Sequence, residues 1–195
     1  MSMNPLPWLV VPAAYLLGGV SPGYWLVRLR TGEDVRTVGS GATGATNAAR
    51  VLGGGGFALV LALDALKGAL AAFAARWAGL DGGWEFAAAL AVVVGHVWPV
   101  MLGFRGGKGL GPLLGAWLVL APLAIGACLL ISGVAWGLTR RRVPSGLFGV
   151  LLLPVATWFS TKSVPATAFT FVTFGIVALA HRSHFISAPP PTSTP

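Results

Sequence analysis

The chain has 195 residues, of which 55% are hydrophobic and only 9% charged, against about 25% charged in an ordinary soluble domain. A soluble fold of this length cannot cover its surface with so few charges, so the composition points to a protein embedded in a membrane. The net charge of +8 fits basic cytoplasmic loops and a site for anions, whereas nucleic acid is excluded as a partner because no aromatics interleave with a basic stripe.

Six apolar stretches stand out, at roughly 8–29, 52–77, 85–104, 110–138, 145–160 and 164–181. A spanning helix needs about 20 apolar residues, so the first four qualify and the last two are short. No basic residue precedes Arg28, so the charged leader of a cleaved signal peptide is missing and the first stretch is expected to stay. Arg28, Arg30, Arg36 and Arg50 follow that stretch, which places the N-terminus outside and the 30–50 loop in the cytoplasm. Three crossings then bring Arg105 and Lys108 to the same side. Taken as one crossing, the fourth stretch sends Arg140, Arg141 and Arg142 outside, against the positive-inside rule. Pro112, Pro122 and Gly126 allow a break in the fourth stretch, and Pro154, Pro165 and the polar run Ser160–Ser163 suggest a partial span later. An odd net number of crossings returns His181 and Arg182 to the cytoplasm. The expected fold is all-α: one polytopic membrane bundle over 1–186, with about five to seven transmembrane or partial helices. Trp8, Trp25, Trp77, Trp84, Trp98, Trp136 and Trp158 fall near stretch ends, as lipid anchors do. Residues 187–195 read as a disordered Pro-rich tail.

Three polar clusters do not belong in a plain bundle. The first runs Val38-Gly39-Ser40-Gly41-Ala42-Thr43-Gly44-Ala45-Thr46-Asn47, with Arg50 one turn later. Its glycines let successive N–H groups form a concave nest for an oxyanion, and Thr46 or Asn47 is placed to cap a helix. A flexible surface loop has the same composition. The second cluster is Gly95-His96-Val97-Trp98-Pro99 followed by Phe104-Arg105-Gly106-Gly107-Lys108-Gly109. Arg105 forks onto phosphate oxygens and Lys108 supplies a compact charge, or both simply mark a cytoplasmic loop. It is not an ATPase loop, because Gly109 stands where a hydroxyl must follow the lysine. The third cluster is His181-Arg182-Ser183-His184. Only His96, His181 and His184 are available as imidazoles and Cys128 is the single cysteine, so neither disulfides nor a metal centre are expected. Asp64 and Lys67 lie one helical turn apart inside an apolar stretch; the spacing permits pairing, and with His96 they read as structural or supporting residues.

Together these clusters resemble the bacterial acyl-phosphate:glycerol-3-phosphate acyltransferases of the PlsY type. The likeness rests on Gly39-Ser40-Gly41 through Thr46-Asn47 with Arg50, on Leu63-Asp64-Ala65-Leu66-Lys67-Gly68, on Gly95-His96 through Lys108-Gly109, and on His181-Arg182. It implies an enzyme in which the 1-hydroxyl of glycerol 3-phosphate attacks an acyl phosphate, giving lysophosphatidic acid and phosphate without a cofactor. It implies catalytic roles for Ser40, Lys108 and His181, and phosphate or substrate contacts from Ser40, Gly41, Thr46, Asn47, Arg50, Arg105, Gly106, Gly107, Lys108, His181 and His184. The partners implied are both substrates, the bilayer and the enzyme that makes acyl phosphate; the location implied is the bacterial inner membrane, with the site facing the cytoplasm. No His here is followed five positions later by Asp, unlike the acyl-CoA acyltransferases. Three places depart from the family pattern: Ala42 and His184 stand where Asn is usual, and Gly111 and Pro112 replace a small residue and Thr. A non-catalytic phospho-ligand-binding relative and a small anion transporter are the alternative readings.

Overall fold

A computed structural model describes residues 6–81 and 83–182, without the side chain of Arg142. His184 and the 187–195 tail lie outside the described residues. The regular structure described is helical: α1 (Leu6–Gly19), α2 (Pro22–Thr31), α3 (Ala45–Trp77), α4 (Trp84–Val97), α5 (Leu110–Leu120), α6 (Pro122–Thr139), α7 (Arg142–Thr161) and α8 (Val164–Ala180), with short 3-10 turns at Val35–Thr37 and Val100–Leu102. Helix is the form that satisfies every backbone group within its own segment, as a chain surrounded by lipid requires. Five pieces are long and apolar enough to cross a membrane: Leu6–Thr31, Ala45–Trp77, Trp84–Leu102, Pro122–Thr139 and Val143–Thr161. α5 and α8 are shorter.

The contacts fix the direction of each leg. α1 and α2 form one leg, broken where Pro22 begins the second helix. Proline has no N–H, so the carbonyl of Gly18 loses its helical partner there. α3 runs 33 residues with a break at Gly53, whose φ of 70° and ψ of −167° leave the helical region. α5 lies parallel to α3, since a Cβ on Gly111 would press on Asp64 at one end and Arg76 donates to the carbonyls of Val119 (2.6 Å) and Leu120 (3.1 Å) at the other. The chain then turns at Ala121, and α6 and α7 pack as an antiparallel hairpin closed by Thr139 and Ser145, 3.1 Å apart. α7 and α8 reverse at Lys162, in the left-handed region, with Ser163 capping α8 through the N–H of Ala166. Pro165 comes beside Gly83, where α4 also starts, so α8 runs parallel to α4.

Among the described residues the bundle therefore has seven legs, and the stretch read as 110–138 is two of them, split at Ala121–Pro122. This corrects the placement of Arg140–Arg142. With the extra reversal their backbone lies at the end of the bundle that carries loops 32–44 and 98–109. The polar run at 160–163 is the turn between two full legs, not a break inside one.

Glycine lets these helices touch backbone to backbone. A Cβ on Gly95 would run into the Tyr15 carbonyl, one on Gly18 into the Val92 carbonyl, and one on Gly115 into the Ala65 carbonyl. Small residues of this kind let van der Waals packing substitute for the hydrophobic force that lipid does not supply. Trp117 is fully buried at the centre, edge-on to Phe86, while Leu9, Leu123, Leu130 and Leu138 remain exposed on the outside as a lipid-facing surface.

Candidate active site

Two loops meet at the end of the bundle where α2 leaves and α5 begins. The first, residues 32–44, is organised by Asn47 on the opening turn of α3. The side-chain amide of Asn47 donates to the carbonyls of Val35, Val38 and Ala42, each at 2.9 Å, and its oxygen accepts the N–H of Ser40 at 3.0 Å. Asn47 is 2% exposed, and its polar atoms are committed to shaping the loop from beneath. The expected cap is not formed: Gly44 is the N-cap of α3 and no side chain caps it. Ser40, Thr46 and Arg50 are exposed. Asn47 and Arg50 converge on Gly39, where a Cβ would lie 2.6 Å from the Arg50 Cδ and the Asn47 Oδ1. Only glycine fits there, at a φ of 54°.

Arg36 fastens the first loop to the second. It grips the Asp34 carboxylate through Nε and Nη2, the latter at 2.7 Å, donates Nη1 to the Leu102 carbonyl at 2.9 Å, and lies over the Tyr24 ring. The Arg36 hydrogen bonds hold the Asp34 carboxyl below its usual range. A second tie runs from the Thr43 N–H to the Gly106 carbonyl at 3.1 Å.

The second loop folds back on the end of α4. Gly106 N–H donates to the Val97 carbonyl at 3.1 Å and Gly107 N–H to the His96 carbonyl at 2.9 Å. Gly109, with a φ of 86°, is the N-cap of α5. Lys108 is thus held between two glycines at the mouth of the bundle. It is half-buried, burial pushes its pKa down, and among the described residues no carboxylate pairs with it. Arg105 is exposed on the same loop.

α8 delivers His181 to this end. The ring is 3% exposed, and Nδ1 lies 2.8 Å from the Val177 carbonyl. A carbonyl only accepts, so Nδ1 carries the proton of the neutral ring. Val177, one turn earlier, packs against Gly109, so His181 adjoins the Lys108 turn. Arg28, Arg30, Arg36, Arg50, Arg105, Lys108, Arg140, Arg141 and Arg182 occur at this end with Glu33 and Asp34, while Arg76 and Lys162 occur with Asp81 and Glu85 at the other.

Asp64 and Lys67 are paired as their spacing implies, with Lys67 Nζ 2.8 Å from Asp64 Oδ1. His96 joins them, its Nδ1 2.9 Å from the same ammonium. That link and the Arg36–Leu102 tie escaped the sequence reading, because each joins residues distant along the chain. Gly111 and Pro112 face α3 at Asp64 and Gly68. Pro112 falls in the first turn of α5, where a helix has no use for its N–H. An open groove of about 490 Å³ lies between α2 and α3, lined by Leu26, Leu29, Arg30, Leu52, Gly55, Gly56 and Leu59.

A family model described as glycerol-3-phosphate acyltransferase matches residues 8–187. Glycerol-3-phosphate acyltransferase 1 of Desulfitobacterium hafniense (strain Y51) is 44% identical over 175 residues, covering 90% of this chain and 87% of that protein. The glycerol-3-phosphate acyltransferase of Anaeromyxobacter sp. (strain Fw109-5) is 44% identical and covers 94% of this chain and 93% of its own. Among solved structures, the crystal structure of PlsY, an integral membrane glycerol 3-phosphate acyltransferase, in its glycerol 3-phosphate form superimposes with a TM-score of 0.86. It is 30% identical and covers 92% of this chain and 90% of its own. The lysophosphatidic acid form gives 0.83 at 28% identity, with the same coverage.

Proposed function

The chain belongs to the glycerol-3-phosphate acyltransferase family of the PlsY type, and on that footing we propose that it acylates the 1-hydroxyl of glycerol 3-phosphate with an acyl phosphate. The products are lysophosphatidic acid and inorganic phosphate. The observation that carries this reading is Lys108, a half-buried cation with no carboxylate partner among the described residues, on a turn tied by Thr43 to the Ser40 and Arg50 loop. A cation partly shielded from water and given no counter-ion among the described residues is stabilised by a bound anion, and both substrates are phosphates.

In the reaction the hydroxyl oxygen bonds to the acyl carbonyl carbon, the bond from that carbon to the phosphate oxygen breaks, and the departing phosphate takes the hydroxyl proton. An acyl phosphate is already activated, so no covalent enzyme intermediate is needed. Holding two anions together and stabilising the charge that develops supplies the acceleration. Arg50 and Lys108 hold phosphate groups, Ser40 donates its hydroxyl to them, and His181 contacts the glycerol phosphate. Arg105, Thr46, Gly41, Gly106 and Gly107 line the same approach. The groove beside Leu52, two residues beyond Arg50, offers an apolar berth for the acyl chain. The concentration of cations at the site end supports a cytoplasmic orientation in the bacterial inner membrane.

The transporter reading has no support on the path it requires. Beyond Lys67 α3 and α5 close on buried Ala71, Ala72, Ala75, Ala116, Trp117 and Leu120, and the buried groups of α7 and α8 on that side, Thr157, Thr170 and Thr173, are neutral hydroxyls that give an anion no charge to follow. A side-by-side assay of palmitoyl phosphate and palmitoyl-CoA with glycerol 3-phosphate tests the donor. Turnover with the phosphate alone is expected; preference for the thioester overturns the donor assignment, and no turnover with either leaves a ligand-binding relative.

A further inference from the structure

Beneath the Lys108 turn lies a buried group of three ionisable residues that the reaction above does not use. Lys67 is 4% exposed, Asp64 3% and His96 3%. The Lys67 ammonium has three N–H donors. They are aimed at the Gly18 carbonyl (2.9 Å), the Val20 carbonyl (2.7 Å) and His96 Nδ1 (2.9 Å). Gly18 is free to accept because Pro22, four residues on, has no N–H for it. Asp64 Oδ1 stands 2.8 Å from the ammonium but accepts no well-directed hydrogen bond. It therefore acts as the counter-charge that keeps Lys67 an ammonium at this depth.

This arrangement dictates the state of His96. Nδ1 lies 2.9 Å from the ammonium and 3.4 Å from Asp64 Oδ1; the nearer neighbour decides, because a protonated Nδ1 would set its N–H against the N–H donors of an ammonium, which is repulsive. Nδ1 must accept, so the neutral ring carries its proton on Nε2. Nε2 faces the turn above: a Cβ placed on Gly107 would collide with it. The backbone of His96 holds the same residue, through the Gly107 N–H.

We infer that Asp64, Lys67 and His96 form a buried relay that presets His96 as the Nε2–H tautomer, and that the ring, packed in this state against Gly107, positions the Gly106–Gly109 turn as an anion-binding floor. His96 is a positioning residue: its ring packs where Gly107 has no Cβ, its carbonyl holds the Gly107 N–H, and together they set where Lys108 is presented. The other tautomer would turn a lone pair toward the turn proposed to hold phosphate, where an N–H dipole favours the anion. The inference rests on the phosphate-binding reading of that turn.

The test uses the full chain in detergent, labelled with [15N]histidine. Long-range proton–nitrogen spectra distinguish the tautomers, and the loss of one set in His96→Gln assigns it among the three histidines. The ring of His96 is expected to be neutral and Nε2-protonated from about pH 6 to about pH 8, and to shift when inorganic phosphate or glycerol 3-phosphate is added. The double variant Asp64→Asn with Lys67→Met, which leaves no unpaired buried charge, should show both tautomers. In the assay, His96→Asn keeps an acceptor for Lys67 but loses the outer donor, and is expected to raise the KM for glycerol 3-phosphate about tenfold with a smaller change in kcat. His96→Gln puts an amide N–H at the outer position and should recover most of that loss. A wild-type ring protonated at Nδ1, or on both nitrogens, overturns the relay. Equal kinetics for His96→Asn and His96→Gln, with no response of the ring to phosphate, overturns the positioning role. If phosphate moves the His96 signal but neither acyl donor is turned over, the relay stands and the acyltransferase reading falls.

Discussion

Between Gly107 and Gly109, partial burial shields the Lys108 ammonium from water and no carboxylate among the described residues pairs with it, so its pKa lies below the usual lysine value. The sign follows directly: the fold disfavours the cation, so stability gains as pH rises from the folded toward the unfolded pKa. Phosphate binding needs the cation, so kcat/KM is expected to fall on the alkaline side as pH passes the folded value. Lys108→Arg should move that limb upward, because a guanidinium stays protonated; an unmoved limb assigns it to another group. Lys108→Ala should lower kcat/KM about 10²-fold, or roughly 3 kcal/mol of transition-state stabilisation, and the exposed Arg105→Ala should cost less. Near-normal kinetics for a folded Lys108→Ala removes its substrate role. Asn47 makes the opposite kind of contribution. Asn47→Asp keeps the shape but turns the donor toward Val35, Val38 and Ala42 into an acceptor facing three carbonyls. It should destabilise by about 2–4 kcal/mol and expose residues 32–44 to proteolysis. Unchanged melting and cleavage would show that the loop is held some other way. Asp34 is stabilised as a carboxylate by Arg36, so this latch contributes above about pH 4 and is lost as pH falls through the lowered folded value.

α1 and α4 can approach only because Gly95 and Gly18 have no side chains. A methyl group at 95 has the Tyr15 backbone in its way, which cannot rotate aside as a side chain can. Gly95→Ala is expected to cost about 1–3 kcal/mol, read as a lowered unfolding temperature in detergent. Gly126, in α6, has open space around it, and Gly126→Ala should match the wild type or gain up to about 1 kcal/mol from helix propensity. If both substitutions behave alike, the close approach is not what holds these helices together. The same packing logic accounts for α5. Eleven residues are too few to cross a membrane alone, yet Gly111, Pro112, Leu113, Gly115, Ala116, Trp117 and Leu120 are buried among longer helices. Arg76 takes up the carbonyls of its last turn.

Among the described residues seven legs bring the loops that carry most of the arginines and Lys108 to one end of the molecule and leave Lys162 at the other. Single cysteines at Gly103, Arg140 and Lys162, in a Cys128→Ala background, test this with an impermeant thiol reagent on intact cells. Labelling is expected at Lys162→Cys, and at the other two only after lysis. Labelling of Arg140→Cys from outside would mean that α5 and α6 form a single crossing, as the uninterrupted apolar stretch from 110 to 138 suggests. Labelling of Gly103→Cys from outside would invert the whole molecule and place the site away from the cytoplasm.

The membrane class, the all-helical bundle and the family were legible in the sequence, because composition and short glycine-rich motifs are local and survive without neighbours. So was the Asp64–Lys67 pair, since i,i+3 spacing on a helix brings two side chains together whatever surrounds them. The number of legs was not legible. Pro122 is as compatible with a kink as with a turn, and only the packing of α5 along α3 decides for the turn. Nor was the role of Asn47 apparent, because its three carbonyl acceptors come from a loop whose path nothing local predicts. The partners of Lys67 lie 47 and 49 residues earlier and 29 later. Charges buried at that depth must be neutralised by whatever the fold brings beside them, and tertiary structure alone decides what that is.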